Sequence, residues 1–132
     1  MKKLLLSVLA ITVSWQILDY LLHGVLLSSA YEETSSLWRP MEEMSMGMMV
    51  LISILVSGSF SYIYYKFVNN KNLKTALMYS LVYGFGAGVS FGYGSYMVMP
   101  IPYYMALTWF LGTIVEALVA GVIVGYLITD SE

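Results

Sequence analysis

Four long apolar stretches, separated by short polar connections, run along this chain. They cover residues 4–30, 46–67, 75–99 and 103–128. A helix crosses a membrane with about 20 mostly apolar residues, and each stretch reaches that length. Because the connections are short, consecutive helices are expected to lie antiparallel to one another. The pattern therefore predicts an all-α fold: one integral membrane domain, residues 1–132, forming an antiparallel up-down bundle of four transmembrane helices.

Prolines mark the ends of several predicted helices. Pro40 suits the first position of a helix, so the second helix is expected to begin there, ahead of the apolar stretch itself. Pro100 ends the third helix, and Pro102 opens the fourth.

Polar residues form a row inside the first apolar stretch. Thr12, Gln16, Asp19 and His23 are spaced four, three and four residues apart, which places them on one face of an α-helix. Glu116 lies in the middle of the last stretch. Ionisable side chains at such depth are costly in lipid, so they usually face a partner or a water-filled cavity. These five residues form the predicted polar cluster within the membrane.

Depth along the helices indicates which of these residues meet. With a rise of about 1.5 Å per residue, Asp19 and Glu116 can approach each other, while His23 lies a further turn toward the membrane surface. Two carboxyl groups in a core of low dielectric constant cannot both stay charged without a counter-charge. We therefore expect Glu116 to be protonated at neutral pH, and Asp19 to be held by His23 or by tyrosine hydroxyls. The third helix offers four hydroxyl groups on one face for such a network: Tyr79, Tyr83, Ser90 and Tyr93.

Small residues recur every four positions in the later helices. Gly84, Gly88 and Gly92 repeat in the third stretch, and Gly121 and Gly125 in the fourth. Close contact between helices in lipid depends on such residues. These faces are expected to pack against each other inside the bundle or across a contact between copies of the chain.

Charge sets the expected orientation in the membrane. Only 11% of the 132 residues are charged, against about 25% in a soluble domain. Arg39 is the one basic residue of the first connection; the others lie at the start of the chain or around the second connection: Lys2, Lys3, Lys66, Lys71 and Lys74. This bias predicts cytoplasmic termini and an outward-facing first connection, with Tyr31 and Trp38 in the outer aromatic belt. Basic residues are too few for a nucleic-acid footprint.

The start of the chain also resembles a signal peptide. Met-Lys-Lys precedes an apolar run, and Ser28-Ser29-Ala30 has the small residues of a cleavage site. The run is longer than the roughly 7–15 apolar residues of a signal sequence. We therefore expect the first stretch to be retained as a membrane helix.

The polar cluster is compatible with more than one role. We favour a non-enzymatic membrane component in which the cluster holds the bundle together or binds a partner within a homo-oligomer or a larger membrane complex. The alternative is a small proton- or cation-linked permease or channel that uses Asp19, His23 and Glu116. Its outer vestibule would consist of charged residues in and beside the first connection: Glu32, Glu33, Arg39, Glu42 and Glu43.

Motifs for metals, cofactors and catalysis are missing from the sequence. The chain has no cysteine and one histidine, and it lacks the HExxH, P-loop and dinucleotide motifs. No cofactor, resident metal or catalytic residue is therefore predicted. Two alternatives remain: haem held by His23, and Cu(I) held by thioether groups at the start of the second helix. The methionines concerned are Met41, Met44, Met46 and Met48.

Two stretches resemble small bacterial four-span membrane proteins of unknown function. They are LDYLLHGVLLSSAYEETSSLWRPMEEM, at 18–44, and WFLGTIVEALVAGVIVGYLI, at 109–128, together about a third of the chain. The resemblance implies a four-helix membrane fold in the bacterial inner membrane, and it implies no activity. The positions that it would single out are Asp19, His23, Trp38, Arg39, Pro40 and Glu116.

Overall fold

Helices make up nearly all of residues 1–130, which this computed structural model describes, and no β-strand occurs among them. The prediction of an all-α fold is confirmed for this part of the chain. The α-helices are α1 (Lys2–Asp19), α2 (Ser28–Glu33), α3 (Met46–Phe67), α4 (Leu73–Gly88), α5 (Ser95–Val98) and α6 (Tyr103–Leu127). Two short 3₁₀ turns, Ser35–Leu37 and Met41–Glu43, lie between α2 and α3.

Two π-helices extend α-helices without a break. α1 continues into the first π-helix, Tyr20–Leu26, and α4 continues through the second π-helix, Val89–Gly94, into α5. The junction residues keep right-handed helical dihedral angles, with φ −60° and ψ −43° at Tyr20 and φ −60° and ψ −47° at Val89. Residues 2–26 and 73–98 therefore form two continuous helical segments.

Three helical stretches are long and apolar enough to cross a membrane: Lys2–Leu26, Met46–Phe67 and Tyr103–Leu127. The segment 73–98, which was predicted to be the third span, is also a continuous helix but is not one of these three. Its glycine, serine and tyrosine residues lower its mean hydropathy. The same small residues allow close packing between helices, so the composition of this segment fits a role in helix packing.

Two predicted helix boundaries differ from the structure. The helix of the first apolar stretch does not reach residue 30, because Leu27 leaves helical geometry, with φ −102° and ψ 10°, and α2 starts anew. The prediction that the second helix begins at Pro40 is wrong, since α3 begins at Met46. Ser45 caps that helix by accepting a hydrogen bond from the backbone N–H of Met48 at 3.2 Å. A serine hydroxyl can satisfy a free N–H at a helix start, which a proline ring cannot do.

Side-chain contacts between α1 and α3 show that these helices run antiparallel. Thr12 pairs with Ser57 and Gln16 with Ser53, each at 2.8 Å, so residue numbers fall along α3 as they rise along α1. The buried Thr12–Ser57 pair lies at the centre of this contact.

α6 is the central helix of the fold, with α1 on one side and the segment 73–98 on the other. It runs antiparallel to the first segment: Trp15 Nε1 donates to the Glu116 carbonyl oxygen at 2.8 Å, and further along Leu22 reaches Gly112. A long helix with two neighbours fixes the relative positions of both.

Glycines form the contact between α6 and the segment 73–98. A Cβ added to Gly84 would lie 2.7 Å from Ala117 Cβ, and one added to Gly92 would lie 2.6 Å from the Ala106 carbonyl oxygen. All five glycines predicted for helix packing lie in such contacts, where an added Cβ would come closer than 3.0 Å to an atom of the neighbouring helix: Gly84, Gly88, Gly92, Gly121 and Gly125. These contacts join helices of the same chain.

The buried apolar side chains form two separate clusters. The first contains Ile11, Trp15, Phe60, Tyr64, Ala76, Ala120, Val124 and Ile128. The second contains Leu27, Ala30, Ile101, Met105, Ala106 and Trp109. Asp19 and His23 in the first segment and Glu116 in α6 fall between these two apolar clusters along the chain.

Candidate functional site

A cavity of about 160 Å³ lies between the two apolar clusters, where α1, the two π-helices and α6 meet. Its walls combine ionisable, hydroxyl and aromatic side chains: Asp19, Leu22, His23, Phe91, Thr108, Trp109, Thr113 and Glu116. The structure thus brings three residues of the predicted polar cluster, Asp19, His23 and Glu116, to one space.

Asp19 and Glu116 face each other across this cavity. Both carboxyl groups belong to the wall of this one space. A carboxylate only accepts hydrogen bonds, so a bond between the two groups requires a proton on one of them. The neighbouring Trp15 indole holds the backbone of Glu116 through its carbonyl oxygen. The arrangement can therefore hold a proton between α1 and α6.

His23 connects the carboxyl pair to the second apolar cluster. Its Nε2 atom lies 3.8 Å from Asp19 Oδ1, and its Nδ1 atom lies 2.6 Å from the Tyr31 hydroxyl. Trp109 Nε1 donates a hydrogen bond to the same hydroxyl at 3.1 Å. Polar contacts thus run from Glu116 through Asp19 and His23 to Tyr31.

Both π-helices contribute to the cavity wall. Leu22 and His23 belong to the first π-helix and Phe91 to the second. The wider turn is visible in the hydrogen bond from the Leu27 N–H to the Leu22 carbonyl oxygen, five residues back, at 2.9 Å. π-Helical turns occur frequently at functional sites, and here two of them flank one cavity.

Aromatic rings close one side of the cavity. Phe91 stacks on Trp109, with ring centroids 4.6 Å apart and an angle of 13° between the planes. Trp38 packs edge-on against both Tyr31 and Trp109, at 5.3 and 6.0 Å. Trp38 and Tyr31 are thus half-buried among these rings, and their place in an outer aromatic belt stays a prediction.

Thr12 and Gln16, the remaining members of the predicted row, do not reach the cavity. Their side chains bond to Ser57 and Ser53 of α3 instead. The helix face that carries the row contacts two neighbouring helices: its first part packs against α3 and its second part against α6.

The cavity is partly open in the single chain. The side chain of Asp19 is 44% exposed and that of His23 is 33% exposed. No residue of α3 contributes to the cavity wall. Asp19 and His23 are therefore accessible from outside the chain.

The predicted vestibule residues lie apart from this cavity. All five are exposed, and none forms an ion pair with another residue of the described part of the chain: Glu32, Glu33, Arg39, Glu42 and Glu43. They do not belong to the cavity wall.

Metal-binding groups are not apparent in residues 1–130. No group of three or more histidine, cysteine or carboxylate side chains there could hold a metal ion. The four methionines considered for Cu(I) are exposed: Met41, Met44, Met46 and Met48. Copper or haem binding stays a prediction.

A larger groove, of about 660 Å³, lies between α1 and α3. Most of its wall is apolar, and its two hydrogen-bonding residues within α1, Thr12 and Gln16, already bond to α3. Besides these two residues only Tyr20 brings a polar group to the wall, and the groove contains no carboxyl or imidazole group. The smaller cavity is therefore the candidate site.

Sequence reasoning missed several side chains of this region, among them Tyr31, Phe91 and Thr108. The sequence predicted that hydroxyl groups of the third helix lie near Asp19. In the structure the Tyr79 hydroxyl donates to the Phe60 carbonyl oxygen at 2.8 Å, and the Tyr93 hydroxyl pairs with that of Tyr103 at 3.1 Å. The hydroxyl beside His23 comes from Tyr31, beyond the helix break at Leu27. No helical spacing could have identified that residue, because the two lie on different helices.

Comparison of the chain with models of known protein families, with curated proteins and with solved structures finds no match. Any function therefore has to be inferred from the site itself.

Proposed function

We propose that the protein is a non-enzymatic membrane component that binds a partner over the Asp19–Glu116 cavity, as a homo-oligomer or as a subunit of a larger membrane complex. The observation that carries the proposal is the exposure of Asp19, which is 44% accessible although it lies within an apolar helical stretch. A polar or charged side chain facing lipid is costly. A partner over the cavity removes that cost.

Contacts within the chain support a structural role for the same residues. The indole groups of Trp15 and Trp109 both donate to polar atoms beside the cavity, one to the Glu116 carbonyl oxygen and one to the Tyr31 hydroxyl. These bonds hold the first segment and α2 against α6. The cluster then stabilises the fold on one side and offers the carboxyl pair to a partner on the other.

The membrane placement is part of the proposal. We propose four spans, with residues 73–98 as the third, in the bacterial inner membrane and with both termini in the cytoplasm. This segment is longer than the roughly 20 residues that cross a bilayer, and it packs along α6. The lysine bias of the sequence supports the orientation.

Native mass spectrometry of the protein released from membranes in mild detergent tests the proposed partner. We expect the wild-type chain as an oligomer or with a stoichiometric partner. The substitution Asp19→Leu removes the polar group that needs covering, and it should weaken the assembly at least tenfold. Glu42→Gln is the control, because Glu42 is exposed and lies away from the cavity. A monomeric wild-type protein, or an assembly that survives Asp19→Leu unchanged, would contradict the proposal.

A second candidate function is a small proton- or cation-linked permease or channel. The cavity of about 160 Å³ supports it, because two carboxyl groups and an imidazole reach the same accessible space. Proteoliposomes with an internal pH-sensitive dye test this role under an imposed membrane potential. A permease should lose its flux on Asp19→Asn while its melting temperature stays unchanged, and absence of flux in the wild-type protein would contradict this candidate.

A further inference from the structure

The Tyr31 hydroxyl joins a segment outside the long helices to the polar cavity. Tyr31 belongs to residues 28–38, which we call the cap segment. Its hydroxyl lies 2.6 Å from His23 Nδ1 and receives a hydrogen bond from Trp109 Nε1 at 3.1 Å. One hydroxyl group therefore connects α2, the first π-helix and α6.

The directions of these hydrogen bonds determine which nitrogen of neutral His23 carries the hydrogen. An indole N–H can only donate, so the Tyr31 oxygen accepts from Trp109. The Tyr31 O–H then donates to His23 Nδ1, which must be the unprotonated nitrogen. In the other tautomer the Tyr31 hydrogen would lose this acceptor, and the hydroxyl has no other hydrogen-bond acceptor among residues 1–130. An unpaired donor in apolar surroundings costs free energy, so neutral His23 carries its hydrogen on Nε2.

The Nε2 side of the ring faces Asp19. The distance of 3.8 Å between Nε2 and Asp19 Oδ1 is too long for a direct hydrogen bond, but it is close enough for attraction between opposite charges. When Nδ1 takes up a proton, it can no longer accept the Tyr31 hydrogen. The imidazolium formed is also attracted to Asp19. Nδ1–H can then donate only to the free lone pair of the Tyr31 oxygen, which leaves the Tyr31 O–H without its acceptor. Together with the pull of Asp19, this weakens the hold of His23 on Tyr31.

Few other ionisable groups face His23. They are Asp19 on α1, Tyr31 on α2 and Glu116 on α6, while the second π-helix contributes the apolar ring of Phe91. No lysine or arginine belongs to the cavity wall. A proton on His23 therefore meets acidic and aromatic neighbours.

We propose that His23 and Tyr31 form a proton-sensitive latch for the cap segment. With neutral His23, the Tyr31 hydroxyl is bonded on both sides and holds α2 to the first π-helix and α6. Protonation of Nδ1 breaks the bond from Tyr31 and loosens the cap segment. The latch requires neither a bound partner nor a transported solute, so it stands independently of the function proposed above.

Site-directed spin labelling tests the latch, and the absence of cysteine makes the label specific. The label is attached to Ser36→Cys, an exposed position in the cap segment, in the full chain reconstituted in nanodiscs. We expect label mobility to rise as the pH falls from about 8 to 5, the range in which histidine changes charge. In Tyr31→Phe the label should be mobile at every pH, because that side chain cannot donate to Nδ1.

A label at Asn69→Cys, in the exposed connection between α3 and α4, is the control and should show no change over this range. His23→Gln keeps a polar side chain but cannot be protonated there, so its label mobility should not depend on pH. Circular dichroism verifies that both variants keep the wild-type helix content. A pH response that persists in His23→Gln, or wild-type mobility that is constant over the range, would overturn the latch.

Discussion

The central helix α6 makes two contacts of opposite character. Toward the segment 73–98 the contact is built from glycines, and a Cβ on Gly92 would come within 2.6 Å of the Ala106 backbone oxygen. Toward α1 and the first π-helix the contact consists of side chains around a cavity of about 160 Å³. We call them the glycine contact and the cavity contact. The first leaves no space for an added carbon, and the second holds space and ionisable groups.

This difference separates the fixed part of the molecule from the adjustable part. Backbone atoms that meet through glycine cannot move apart without loss of the whole contact, because protein interiors are closely packed. Side chains that line a cavity can rotate, take up a proton or meet a ligand while the helices stay in place. The second π-helix links the two contacts, since Phe91 lines the cavity and Gly92 lies against α6.

The largest effect is expected from Gly92→Ala in the glycine contact. The added Cβ would meet the Ala106 carbonyl oxygen at 2.6 Å and the Phe110 backbone nitrogen at 3.0 Å, and neither atom can give way without movement of α6. We expect a loss of about 1–3 kcal/mol or more in the free energy of unfolding. Unfolding by SDS in mixed micelles, followed by circular dichroism, measures it.

Gly86→Ala is the matched control for this prediction, because nothing lies within 4 Å of a Cβ at Gly86 in the same helix. It should leave stability unchanged or raise it slightly, since alanine favours helix by up to about 1 kcal/mol over glycine. Equal losses for Gly86→Ala and Gly92→Ala would show that helix propensity, and not the close contact, decides the outcome.

The same substitution in the cavity contact should have a smaller effect. A Cβ on Gly112 would lie 2.7 Å from Leu22 Cδ1, which is the end of a flexible side chain. Leu22 borders the cavity and can rotate into it. We expect Gly112→Ala to cost under about 1 kcal/mol, below the usual range for overpacking. The same SDS titration measures it, and a loss as large as that of Gly92→Ala would remove the distinction between the two contacts.

The sequence predicts the glycine contact more completely than the cavity contact, for a physical reason. Glycines that pack two helices together recur every four residues, and glycine has no side chain whose conformation would have to be predicted. The predicted glycines, among them Gly84 and Gly121, all lie in such contacts. The beginning of α3 was not predicted, because a serine cap at Ser45 competes with proline as a start signal.

The candidate site could be predicted only in part. Spacing and depth were enough to pair Asp19 with Glu116, since both depend on helical rise alone. Tyr31 could not be found, because its approach to His23 depends on the break at Leu27. The π-helices were not predicted either, because a hydrophobic pattern analysed at 3.6 residues per turn does not reveal a wider turn.

The contact between α1 and α3 lies between these two extremes, because polar side chains join the two helices directly. The Thr12 and Ser57 hydroxyls share a buried hydrogen bond at 2.8 Å. Ser57→Ala leaves Thr12 without this partner and should cost roughly 0.6 kcal/mol, up to about 1.7, the range found for hydrogen bonds between helices in membranes. Ser61 is the matched control: its Oγ is buried and has no partner within residues 1–130. Ser61→Ala should be neutral or stabilising, and a larger loss there than for Ser57→Ala would contradict the hydrogen-bond account.

The smallest effect is expected at the chain surface, where Asp130 ties the end of α6 to the connection before α4. Its carboxylate accepts the Lys71 backbone N–H at 2.6 Å, and this bond, together with the Lys71 ammonium group, lowers the pKa of Asp130. A lowered pKa means that the tie stabilises the fold above the unfolded value of about 3.9, and that this contribution disappears as the pH falls through the folded value. Asp130→Asn should therefore lower the melting temperature slightly near neutral pH and have no effect in strong acid, where the wild-type carboxyl is protonated as well. The variant and the wild-type chain share every other titrating group, so the difference between their melting temperatures reports the contribution of the Asp130 carboxyl group alone. If that difference is constant with pH, the charge of Asp130 does not contribute to stability.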